Sequence, residues 1–282
     1  MSEIRSVKSV VDMPAIDVHA HVGRYYRKEA PLLNVFMTAG GEKVVERARK
    51  ARIAWSVFSP LGALLPRFQA NAVTGNVEAT EVVTKIGGLL QWVVVNPLQP
   101  TTYKQAEEAL QQPKCVGIKI HPEEHGYPIR QHGQQLYEFA AKHRAVVLTH
   151  SGEENSLPAD FVPFANSFPE VKLILAHLGC GWDNDPSHQV RAIQAAKHDN
   201  LFVDTSSANS VMSGLVEWAV KEIGSQRILF GTDTPLYSAP MQRARIDYAE
   251  VGDDDKRAIL WNNAATLLNL EGRGLSQAVS TL

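Results

Sequence analysis

Cysteine is scarce: Cys115 and Cys180 are the only two in 282 residues. They form no paired spacing, so free thiols of a reducing compartment are expected rather than a disulfide framework. No apolar run is long enough to span a membrane, and the opening Met-Ser-Glu-Ile-Arg-Ser-Val-Lys-Ser has no apolar leader core. A soluble, cytoplasmic protein with no membrane partner follows as the expectation. There is no long basic run, and the formal net charge is −2, so nucleic acid is not an indicated partner. Nor does any linker or low-complexity segment mark a second domain. What is present is globular: 44% apolar and 21% charged residues. A chain of this size buries roughly three quarters of its unfolded surface and needs no staple. One domain over residues 1–282 is expected, with loop insertions at about 23–41 and 59–76.

The most informative stretch is 15–22, Ala-Ile-Asp-Val-His-Ala-His-Val. Read as a strand of period two, it turns Asp17, His19 and His21 one way and Ile16, Val18 and Ala20 the other, toward a covering helix. Two imidazoles side by side at a strand end can grip one cation. Seven further short apolar runs follow: 53–58, 89–95, 116–120, 145–149, 171–176, 201–204 and 228–230. Helical segments are expected after them at about 42–52, 77–86, 128–143, 159–167, 186–198, 211–223 and 254–268. Another runs to Gln111 behind a Thr101 or Thr102 cap.

Strands alternating with helices imply parallel pairing, and eight units in this length fit an α/β fold of the (β/α)8 TIM-barrel type. An open doubly wound sheet would usually carry a glycine-rich phosphate turn after its first strand; here that turn reads His-Val-Gly-Arg-Tyr.

In such a barrel, chemistry collects at the carboxyl ends of the strands. Those ends carry His19 and His21, then Lys119 and His121, His150, His177, and finally Asp233. Five of the ten histidines fall at the last positions of four strands, which random placement would not produce. Individually each has a plainer reading. His150 and His177 can be core histidines, and Asp233 in Gly-Thr-Asp-Thr-Pro can cap a turn. His125, His132, His143, His188 and His198 are expected at the surface. Arg24, directly after the first strand, can read an anionic substrate. Cys180 is expected to be an inert buried thiol.

The segments Ile-Asp-Val-His-Ala-His (16–21), Gly-Ile-Lys-Ile-His-Pro (117–122), Thr-His-Ser-Gly (149–152), Leu-Ala-His-Leu-Gly (175–179) and Phe-Gly-Thr-Asp-Thr-Pro (230–235) appear in that order. With the closing 259–268, they make the chain resemble the amidohydrolase superfamily, in the branch that includes aminocarboxymuconate-semialdehyde decarboxylase. The resemblance implies that His19, His21 and His150 are metal ligands and that Asp233 binds the metal or its water. His177 would act on substrate or water, with His121 as a substrate contact. Lys119 would bind a substrate carboxylate, pair with an acid inside the barrel, or be carboxylated between two metals; one metal is usual in this branch, which favours the first two. Asp17 would be a hydrogen-bond partner behind the ligands.

One divalent metal is therefore expected, zinc first and manganese as the alternative. The main expectation is a hydrolase of a small amide, ester or lactone, in which a metal-activated water gives its proton to Asp233 and His177 steadies the oxyanion. The same residues suit a non-oxidative decarboxylase of an unsaturated or aromatic carboxylic acid. A metal-binding barrel without chemistry is the alternative of another class. The partner is expected to be a small molecule. Homodimers are common among relatives, so the resemblance adds a homodimer to the expectations.

Overall fold

The computed structural model describes residues 10–67 and 69–275; the amino-terminal stretch read above as lacking a leader core lies outside them. Eight parallel strands run in chain order: β1 (Ala15–Val22), β2 (Ile53–Pro60), β3 (Leu89–Val94), β4 (Cys115–Ile120), β5 (Val146–Thr149), β6 (Leu173–Leu175), β7 (Leu201–Asp204) and β8 (Ile228–Leu229). The ring closes beyond β8. Val18 N–H donates to Phe230 O at 2.9 Å, Asp233 N–H to His19 O at 2.7 Å and His21 N–H to Thr234 O at 2.6 Å. This is the (β/α)8 TIM barrel. Among the described residues, no helix is long and apolar enough to cross a membrane.

Most helices fall where expected, with shifted ends. Ala72–Lys85 starts five residues earlier than read, because Asn71 caps it by accepting Thr74 N–H at 3.1 Å. Neither threonine caps Thr101–Ala109. Thr102 instead takes Asn96 N–H at 3.0 Å and donates to Gln99 O at 2.8 Å. The final helix is three pieces: Asp253–Arg257, a π turn Ala258–Asn262 and Asn263–Leu267. The 23–41 stretch holds a short helix, Pro31–Met37, none of whose residues is buried.

The inside of the barrel is apolar below its mouth. Ile16 and Val18 pack with Val57, Leu90, Trp92, Leu148, Ile174 and Leu229 from the other strands. This corrects the period-two reading of β1. Its register shifts between Asp17 and Ala20, and a bulge inverts the alternation. Below the bulge Ile16 and Val18 face inward. Above it Ala20 and Val22 turn outward against Val44, Val45, Ala79 and Val83 of Gly41–Lys50 and Ala72–Lys85. Hydrophobic filling and the His19/His21 pair thus share the inside of one strand at different heights. The Trp92 indole donates to Val18 O at 2.8 Å beside the bulge.

A further shift lies in β4, where Cys115 pairs with Gln91 but Gly117 with Trp92. A methyl at Gly117 would stand 2.3 Å from Val146 O and 2.6 Å from the Trp92 ring. Overpacking of that kind makes Gly117→Ala destabilising by about 3 kcal/mol, a fall in melting temperature of roughly 10 °C. Thermal unfolding followed by circular dichroism checks it; an unchanged midpoint contradicts the fit.

Candidate active site

The upper halves of β1 and β4, and the residues following β5, β6, β7 and β8, converge on a pocket of about 250 Å3. It is lined by His19, His21, His121, His150, His177 and Asp233, with Leu65, Glu124, Glu153, Cys180 and Tyr237. His21 Nε2 lies 2.9 Å from Asp233 Oδ1, and His19 Nε2 lies 3.7 Å from the same oxygen. Each of these two histidines is oriented from behind. His21 Nδ1 is 3.1 Å from Ser59 O, and His19 Nδ1 is 2.9 Å from Asp204 Oδ2. Lys119 is buried, with Nζ 3.0 Å from His19 Nε2, and burial pushes its ammonium down to about 8.

Asp204 is the hub that the sequence reading did not single out. Its Oδ1 accepts the backbone N–H of His177 at 3.0 Å and of Ser206 at 2.9 Å, and also the Ser206 hydroxyl. Ser206 Oγ in turn lies 2.8 Å from His177 Nδ1 and 3.0 Å from His19 Nδ1. Burial works against the Asp204 charge, but His19, His177 and Ser206 hold its carboxyl well below the usual range. Asp233 is held low in the same sense, with burial opposed by His21 and His19.

Backbone strain gathers here too. His177 and Asp233 have φ of 73° and 57°, a region that non-glycine residues seldom occupy and that clusters at functional sites. Gly231 makes room beside His19, Asp204 and Ser206. A methyl there would meet His19 Cβ at 3.1 Å and Asp204 Cγ and Ser206 Cβ at 3.2 Å.

A family model described as amidohydrolase matches residues 16–270. The chain belongs to the amidohydrolase family. Among curated proteins it is similar to gamma-resorcylate decarboxylase of Polaromonas sp. strain JS666, 28% identical over an alignment 119 positions long that covers 37% of this chain. The match spans only 36% of that relative's length. Among solved structures it is similar to 2,6-dihydroxybenzoate decarboxylase from Rhizobium, with TM-score 0.69 and 12% identity over 92% of this chain and all of that one. It is also similar to 5-carboxyvanillate decarboxylase from Novosphingobium aromaticivorans, a manganese complex, with TM-score 0.70 and 10% identity over 92% of this chain and 96% of that one. At those identities the structures establish the shared barrel.

This amidohydrolase's donor set fits a divalent metal. His21 Nδ1 faces a carbonyl, which can only accept, so its proton sits there and Nε2 carries the lone pair. His19 Nδ1 faces the ionised Asp204, which fixes the same tautomer. Two lone pairs, the His19 one beside Lys119 Nζ, and a carboxylate oxygen then gather within reach of one cation. The ligand atoms of His19, His21 and Asp233 all lie within 4.8 Å of one another, as do those of His19, His177 and Asp204.

The other expected site residues stand as follows. His150 Nδ1 is 3.1 Å from His177 Nε2, and its Nε2 is 2.6 Å from Glu153 Oε2. Its ring stacks on His121, centroids 4.3 Å apart and planes at 9°. Arg24 is exposed, its guanidinium 5.1 Å from the centre of the Tyr26 ring, and it does not line the pocket. Asp17 accepts from His19 N at 3.0 Å, Thr232 N at 3.0 Å and Thr232 Oγ1 at 2.6 Å, stitching β1 to the turn after β8. Burial outweighs those bonds and pushes its carboxyl up to about 8. His125, expected at the surface, is largely covered, with Nε2 2.9 Å from Ala63 O.

Proposed function

We propose that the enzyme is a divalent-metal-dependent, non-oxidative decarboxylase of a small unsaturated or aromatic carboxylic acid. His19, His21 and Asp233 hold the ion, and His150 joins them once a ring nitrogen turns from Glu153 or His177. The bound ion supplies a Lewis acid for the substrate's oxygen atoms and stabilises charge that builds as the carbon–carbon bond breaks. Manganese, present in the 5-carboxyvanillate decarboxylase complex, and zinc both suit this mixture of nitrogen and oxygen donors.

Decarboxylation replaces a carboxylate with a proton on the same carbon, so the chain must present a proton there. The observation that carries the reading is the anchoring of His177. Its Nδ1 is fixed by Ser206, and through it by Asp204, while its other nitrogen lines the pocket beside His150. Because the Ser206 hydroxyl donates to Asp204, its oxygen takes the His177 Nδ1–H, and Nε2 is the position that would take up a proton and pass it to a carbon above it. The curated relative, itself a decarboxylase, points the same way.

Turnover in D2O separates the two readings. A decarboxylase releases carbon dioxide and leaves one deuteron on the product carbon, read by NMR. Incorporation of 18O from labelled water into an acid product, with no carbon dioxide, would instead make the enzyme a hydrolase.

A further inference from the structure

Leu32, Val35 and Phe36 of the helix Pro31–Met37 are 65%, 69% and 61% exposed. Apolar side chains gathered in the open mark a surface that something covers. The segment that carries them is a loop on a narrow neck. Gly23 N–H donates to Ala39 O at 2.8 Å and Ala39 N–H to Gly23 O at 3.1 Å. Thr38 Oγ1 adds a second rung, accepting Tyr25 N–H at 3.0 Å and donating to Tyr25 O at 3.2 Å. The tip is tied to itself, because the Asn34 side chain accepts Arg27 N–H at 2.7 Å and donates to Arg27 O at 2.8 Å. A compact loop of this build can move as one piece about its neck.

Its place in the fold says what it can cover. The neck begins two residues after His21, at the carboxyl end of β1, so the loop rises from the mouth of the barrel. Arg27 is near enough to Glu124, in the pocket lining, for its positive charge to act on that carboxyl. No residue of the loop lines the pocket itself. Beside the neck is the turn after β8, where His21 N–H donates to Thr234 O. Three residues on stands Tyr237, which lines the pocket and is 41% exposed. Met241, in the helix that follows, is 62% exposed. Two apolar surfaces open to solvent thus rise from the neighbouring ends of β1 and β8, at the rim of one pocket.

We propose that residues 24–38 are a lid, which swings on the Gly23/Ala39 neck and lays Leu32 and Phe36 on Tyr237 and Met241, closing the pocket over a bound substrate. Closure buries both apolar surfaces at once and shuts bulk water out of the reaction site. The inference rests on this pocket being the reaction site, not on which reaction it runs. A second copy of the chain is the rival occupant of the exposed helix.

Disulfide trapping in the full chain decides between them. Phe36→Cys and Tyr237→Cys, in a Cys180→Ser background, should join within one molecule on mild oxidation. Val77→Cys with Tyr237→Cys is the control, Val77 being exposed on the helix Ala72–Lys85. The lid pair should link about tenfold faster than the control, because only cysteines whose Cα atoms come within about 7 Å can join. Leu32→Cys with Met241→Cys, at two positions largely in solvent, decides the matter if the first protein does not fold. The link should also seal the pocket: a chelator should draw manganese from the loaded, linked protein about tenfold more slowly, and a reductant should restore the rate. No link, a link only between two molecules, or unchanged manganese release from the linked form overturns the lid. An internal link in a protein that takes up no manganese upholds the lid and fells the metal reading.

Discussion

His21→Ala is expected to strip the metal from the protein and to slow turnover about a thousandfold, equivalent to roughly 4 kcal/mol of barrier. The reasoning starts from the bond behind the ring. Ser59 O holds the His21 proton on Nδ1, so Nε2 can only offer a lone pair, and it offers it 2.9 Å from Asp233 Oδ1. Without the imidazole, only His19 and Asp233 remain of the three donors that lie together, and the site loses most of its affinity. Elemental analysis of the purified variant should find little metal. Chelator-treated wild type should lose activity in parallel and regain it with manganese or zinc, the better of the two identifying the ion. A His21→Ala protein with a full complement of metal and full turnover would remove this residue from the site. His150→Ala belongs in the same experiment. It is expected to weaken metal uptake, whereas unchanged metal content would leave His150 as a partner of Glu153 and His177 alone.

The barrel was legible because strand and helix alternate eight times, and because polar residues capable of chemistry recur where apolar runs stop. His19, His21, His121, His150, His177 and Asp233 were found in that way, and all line one pocket. Two β-bulges were not legible. A one-residue excess in β1 or β4 leaves no trace in composition, yet it reverses which side chains face inward. For that reason period two misplaces Ile16 and Val18 while it places His19 and His21 on the inner side.

Asp204 was passed over for a different reason. It follows Leu-Phe-Val with no motif around it, and only its place at the end of β7 could have marked it, by the same rule that marked His150 and His177. Glu124 and Glu153 lie beyond the strand ends, where side-chain direction is set by turns such as the His121 cap. Sequence spacing carries no information on that direction. The helix Pro31–Met37 has no buried residue, so no amphipathic period marks it.

Asp204→Asn should be nearly as damaging as the loss of a ligand, although Asp204 touches neither His21 nor Asp233. Its Oδ1 takes two backbone N–H groups, from His177 and Ser206. An asparagine must keep its carbonyl oxygen at that position, which puts the amide NH2 where Oδ2 now meets His19 Nδ1 at 2.9 Å. A donor there drives the His19 proton from Nδ1 to Nε2 and occupies the lone pair that the metal needs. The expected result is a 10- to 100-fold loss of metal affinity, the size typical for groups that orient a ligand. A further loss of turnover at saturating metal follows, because the anchor of His177 weakens with the same change. Because the amide keeps the shape and the two backbone bonds, the variant should fold, with near-wild-type circular dichroism. Competition with a fluorescent chelator measures the affinity, and steady-state kinetics at saturating metal isolate the second effect. Wild-type metal affinity in a folded Asp204→Asn protein would mean that the His19 tautomer is not set from β7, and the metal site would then have to be explained without its strongest support.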